Sequence, residues 1–329
     1  MTAKEIQLTR ILKSRVTAVL LTVAAALGGI YASNAGCVPP LSGDKGICVL
    51  SPNNWVTDTS ASLCLALLLN IGAAAYMVYL NRRFNLLRTL SLLFAAFYPL
   101  MLCSEPIVSC YFYGGCLLVV AMLVATALLY GSYNQPGRLK PVYLAFAVIA
   151  GCSMFQYGFV AYLPILMIGC GQMRIFRFKT FVAALLGVVT PLWIAWGFGF
   201  ISLGDFHVPD FDVAYEALPS RGRVAFLVNV VFTAVSLVSL SVANVLKIFS
   251  YNSRTRALNG FMLAVSLATV VMTVVDFTNM TFYLPLLYCC LAFQIGHFVK
   301  ISSGKRVCYI VILGFIAFFA GMFVWNIIV

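Results

Sequence analysis

The chain has 329 residues, 63% of them apolar and only 9% charged, with a formal charge of +12. A soluble domain of this size needs a charged surface that is missing here, so composition excludes the soluble globular classes and points to a polytopic membrane protein. Apolar runs of about twenty residues indicate helices, since barrel strands are short and alternating.

The N-terminal stretch TAKEIQLTRILKSR places Leu8, Ile11 and Leu12 on one helical face, with Lys4, Arg10 and Lys13 elsewhere. Residues 1–15 are therefore predicted as a short amphipathic segment on the cytoplasmic membrane surface. The following VTAVLLTVAAALGGIYASNAGC imitates a signal peptide but is long enough to span, and it is read as a retained first helix. Eleven spans follow from hydropathy and punctuation, at about 16–33, 59–80, 89–104, 108–131, 141–156, 158–173, 180–203, 224–248, 257–275, 279–299 and 307–327. Residues 16–329 form one all-α membrane domain, with outer loops at 34–58 and 204–223.

Charge tests this topology. With the N-terminus cytoplasmic and the C-terminus outside, 18 of the 21 Lys and Arg residues fall in inner connections, leaving Lys45, Arg221 and Arg223 outside. The acids run the other way, with only Glu5 of nine inside. The positive balance is thus a topology signal, and nucleic acid is not expected as a partner. The cation-rich connections are accordingly expected on the cytoplasmic side.

The same parity places Asp276, in VVDFTNMTFYLPLL, at an outer turn between two helices rather than at midplane. There it is most simply a helix cap. A second helix pair turns near Phe155-Gln156-Tyr157-Gly158, and its returning helix carries Tyr162-Leu163-Pro164, an echo of Tyr283-Leu284-Pro285. Proline in the first turns of a helix explains both.

Most of the eleven cysteines sit in apolar runs and act as small hydrophobes. Cys37 and Cys48 differ: both lie in the first outer loop, where an oxidising compartment favours a disulfide between them. His207 and His297 are far apart and no CxxC pair occurs, so no metal-ligand spacing is present. Walker A, GxGxxG, HExxH and GxSxG motifs are absent as well, and no cofactor is indicated.

Candidate chemistry gathers at the outer side. Glu105 in CSEPIVS is either an exposed turn residue or a general base or metal-coordinating acid at a cavity mouth. Asp58 heads Asp58-Thr59-Ser60 as a cap, and Asp44 lies in the first outer loop. These acids and Asp276 are the candidate catalytic groups. Arg221 and Arg223, ahead of the eighth span, are candidate phosphate ligands for a lipid-linked donor. Polar groups within the spans (Asn70, Gln156, Asn229, Asn244, Gln294, His297) are few, which weighs against an ion-coupled transporter.

The stretch from about Phe84 to Trp196 resembles an uncharacterised family of polytopic inner-membrane proteins typical of Bacteroidota. The resemblance is carried by Asn85-Leu86-Leu87-Arg88, Tyr98-Pro99, Gly151-Cys152-Ser153-Met154-Phe155, Tyr162-Leu163-Pro164, Arg174-Ile175-Phe176-Arg177-Phe178-Lys179 and Leu186-Gly187-Val188-Val189-Thr190-Pro191. More loosely, the chain is similar to C-type glycosyltransferases, many-helix enzymes that use a lipid-phosphate sugar donor at outer loops. Those enzymes place an acid soon after the first span; here that exit reads Tyr31-Ala32-Ser33-Asn34, and the nearest acid is Asp44. The resemblance implies envelope biogenesis at the outer leaflet on a lipid or lipid-linked saccharide. A non-catalytic subunit holding other envelope proteins, or a transporter or lipid flippase, are the alternatives.

Overall fold

The computed structural model describes residues 7, 10–36, 46, 52–88, 91–201, 223–248, 251–302 and 305–328. Among these residues there is no strand, and twelve helices carry the fold. They are α1 (Arg15–Asn34), α2 (Thr59–Phe84), α3 (Leu93–Cys103), the single turn α4 (Pro106–Ser109), α5 (Gly114–Gly131) and α6 (Leu139–Ser153), then α7 (Tyr162–Gln172), α8 (Phe178–Gly197), α9 (Arg223–Ile248), α10 (Ser253–Val275), α11 (Met280–Ile301) and α12 (Arg306–Ile328). Eight are long and apolar enough to cross a membrane; α3, α6 and α7, the last with its leading 3-10 turn Tyr157–Ala161, are shorter. The chain is a polytopic helical bundle.

Every predicted span corresponds to one of these helices, with shifted ends. The second runs on to Phe84, where Asn85 adopts φ 52° and stops it. The fourth is broken: Pro106 starts the separate turn α4, and α5 begins only at Gly114. Most of the expected amphipathic segment 1–15 lies outside the described residues, as do the Cys37–Cys48 pair, more than half of the first outer loop and all of the second except Arg223.

Helix α11 is the axis. It is buried along almost its whole length and packs against α3, α5, α9 and α10. Around it the aromatic side chains interlock, with Phe94 against Phe293, Phe282 against Tyr113 and Tyr288 against Phe319. The outer helices instead show long apolar faces: α1, α8, α9 and α12 each expose valine, leucine, isoleucine or tryptophan along their length. That inversion, apolar outside and polar groups few and enclosed, suits a lipid surround. Helix α8 packs chiefly on α6, and an added Cβ at Gly187 would run into the Tyr143 backbone carbonyl, so a glycine there permits the close approach.

Charge separates along the bundle. All described cations except Arg223 lie at one end, where Arg88 donates to Asn252 at 2.7 Å and covers the Tyr251 ring. Asp58, Glu105 and Asp276 lie at the other end, which also holds the turns of both helix pairs. These two turns touch: Gly158 sits against the Tyr283 hydroxyl and Asp276, and Phe159 meets Tyr283 edge to face.

Candidate functional site

At the acidic end, α3 stops at Cys103 and the chain bends through Ser104-Glu105 into Pro106. Proline forces its predecessor out of the α region, and Glu105 adopts φ −126°, ψ 90°. That bend turns the carboxylate inward rather than out, leaving the residue 1% exposed. The exposed-turn alternative for Glu105 is thereby corrected.

Glu105 Oε2 accepts from Asn229 Nδ2 of α9 at 3.1 Å and from Asn326 Nδ2 of α12 at 3.4 Å. Asn229 Nδ2 also donates to Ser104 Oγ at 3.0 Å, and Asn326 Nδ2 to the Ser104 carbonyl at 2.8 Å. Thr233 Oγ1 donates to the Asn229 backbone carbonyl at 2.7 Å and lies 3.4 Å from Asn229 Oδ1. Tyr288 of α11 lies within electrostatic reach of Glu105, beside Ser104 and Asn229. Among the described residues no cation forms an ion pair with Glu105. Burial therefore pushes its carboxyl up to about 8, against the opposing pull of the Asn229 and Asn326 amides.

Asp276 occupies a different enclosure. The expected helix cap is corrected, because its side chain makes no cap hydrogen bond and is only 3% exposed. Instead Oδ2 accepts from the Tyr283 hydroxyl at 2.7 Å and Oδ1 from Asn279 Nδ2 at 2.7 Å. The turn is at the bundle end, as parity required, but its carboxylate looks inward. Asp58 is the cap that its sequence suggested: Oδ2 accepts from Ala61 N at 3.0 Å at the exposed start of α2.

The described acids thus have three separate sets of hydrogen-bond partners. Glu105 and Asp276 are closed into their own hydrogen-bond clusters, and no hydrogen bond joins them. Arg223 is half-buried at the start of α9; Asp44 and Arg221 lie outside the described residues. No group of three His, Cys, Asp or Glu side chains is placed to hold a metal among the described residues. Sequence reasoning counted Asn229 only as a polar span residue and passed over Asn326. Their signal was a lone amide near the acidic-end terminus of an otherwise apolar helix, which asks for a buried partner.

Beside this cluster runs an apolar groove of about 790 Å³ between α9 and α12. Leu227, Val231 and Val235 of α9 form one wall, and Val311, Gly314 and Phe318 of α12 the other. Phe232 stacks on Phe318 at 3.6 Å across it. On α9 the lining extends from Leu227 to Leu240, a rise of roughly 20 Å. Its end nearer the acidic end of the bundle is level with Asn229, so the two helices that wall the groove are also the two whose asparagines bind Glu105.

The interior offers little open polar space. Asn70 accepts from Tyr98 at 3.3 Å and Asn244 donates to Gln294 at 3.1 Å, while the centre is filled by α11. Compared with protein-family models, curated proteins and solved structures, the chain matches none.

Proposed function

We propose that this chain is a multi-pass protein of the bacterial inner membrane that takes a long-chain lipid or lipid-linked saccharide from the outer leaflet in envelope biogenesis. The eight long and three shorter helices act as eleven crossings, with the cationic end in the cytoplasm and the acidic end outside. One observation carries the functional part: the α9–α12 groove is lined by aliphatic and aromatic side chains and ends beside the Glu105–Asn229–Asn326 cluster. A ~20 Å apolar trough suits an acyl or isoprenoid chain. The polar cluster at its outer end sits at the level of the attached headgroup.

That Glu105, Asp276 and Asp58 share no hydrogen-bond partner favours lipid holding over hydrolysis or transfer, because acid–base work needs its groups converging on one reacting atom. It supports a second reading, a non-catalytic subunit that presents lipid to an envelope enzyme. Both readings are tested by comparing lipids, lipid-linked sugars and surface glycans of a deletion strain with its parent. Accumulation or loss of a lipid-linked species is expected; identical profiles would remove the proposal.

A further inference from the structure

Helix α9 has a second trough on its opposite flank. It lies between α9 and α10, holds about 290 Å³, and is walled by residues including Ser241, Val242, Leu246, Leu263 and Ser266. Helix α9 packs chiefly on α11 and touches α10 only lightly.

Three polar side chains close to this trough have unpaired atoms, although Asn244 also donates through Nδ2 to Gln294. Asn259, 1% exposed, has neither amide atom hydrogen-bonded; Ser241 Oγ and Asn244 Oδ1 are likewise unpaired. Asn259 precedes Leu263 by one turn of α10, in register with Leu263, Ser266 and Val270, which line the trough. An unpaired buried amide is costly, and a cluster of them marks a place that another molecule completes.

Cations stand next to the trough lining in sequence. Lys247 follows Leu246 directly, and Arg254 and Arg256 open α10 within two turns of Asn259; all three are exposed. Arg88 is drawn to the same connection through Asn252 and Tyr251.

We infer that the α9–α10 trough binds an anionic phospholipid from the leaflet at the cationic end. The acyl chain lies between the helices, the phosphate meets Lys247, Arg254 and Arg256, and the glycerol and headgroup oxygens reach Asn259, Asn244 and Ser241. Basic pockets between membrane helices select anionic headgroups for this reason. The site is at the other end of the bundle from Glu105 and does not rest on the lipid-handling reading above.

The full chain in nanodiscs of equal phosphatidylethanolamine and phosphatidylglycerol, released for native mass spectrometry, tests this. Retention of phosphatidylglycerol over phosphatidylethanolamine by about tenfold or more is expected. The triple variant K247Q/R254Q/R256Q should lose that preference, and Val242→Trp, which fills the trough from its exposed wall, should lose the retained lipid. Equal retention of both lipids by the parent chain would overturn the inference. So would a triple variant that keeps the preference, or a Val242→Trp chain that keeps the lipid, since binding would then be confined to the surface. A dimer with no retained lipid would overturn it as well, by showing a second copy in the trough.

Discussion

Glu105→Gln is expected to unfold at a higher temperature than the parent chain above pH 8, and the two curves to converge below about pH 4.5. Burial lifts the folded Glu105 carboxyl to about 8 from its ordinary 4.5. The folded state therefore holds a proton that the unfolded state has released across that interval. Stability from this group is greatest below 4.5, falls as pH rises to about 8, and is level beyond. Glutamine keeps the shape and an accepting oxygen for Asn229 and Asn326 but has no proton to lose, so its stability lacks the decline. At about 1.4 kcal/mol per pH unit, the gap above pH 8 amounts to several kcal/mol. Thermal unfolding in detergent from pH 4 to 9 measures it. Parallel curves would mean that Glu105 is ionised in the folded protein, with a counter-charge supplied from elsewhere.

Gly158→Ala should be among the most damaging single-methyl changes in the protein. An added Cβ would fall on the Tyr283 hydroxyl and stand 3.0 Å from Asp276 Oδ2. Neither can retreat: Tyr283 is fully buried and its hydroxyl is committed to Asp276. The methyl must part the two helix-pair turns or break a hydrogen bond to a buried carboxylate. Overpacking costs typically ~1–3 kcal/mol, and the lost charge-assisted bond adds ~1.5–3 kcal/mol. A melting temperature within a degree or two of the parent would show that the turns are not packed as described. Gly151→Ala, where an added Cβ meets nothing within 4 Å, is the control and should be neutral.

The helices were legible because membrane topology is written in local features. Arg82, Arg83 and Arg88 mark one connection between helices and Lys300, Lys305 and Arg306 another, and apolar length does the rest. The position of the Asp276 turn followed from the same parity. Its enclosure did not, because Tyr283 is a partner seven residues away across a turn, and only folding decides whether the two side chains meet. Glu105 was harder still. Its partners Asn229 and Asn326 are separated from it by 124 and 221 residues, and nothing local marks them as neighbours. The bend that buries Glu105 was nonetheless signalled by Pro106. The break between α4 and α5 was missed because hydropathy through Ile107, Val108 and Cys110 continues unbroken, although Gly114-Gly115 marked the restart.

Lipid retention in the α9–α12 groove tests the central claim most directly. Gly314 lines that groove, and an added Cβ there meets nothing within 4 Å, so Gly314→Phe fills the trough without displacing its walls. Native mass spectrometry of the gently solubilised parent chain should show a bound long-chain lipid or lipid-linked saccharide, and the Gly314→Phe chain, equally folded, should lose it. Retention of the same species by both chains, or a parent chain that carries none, would contradict the account.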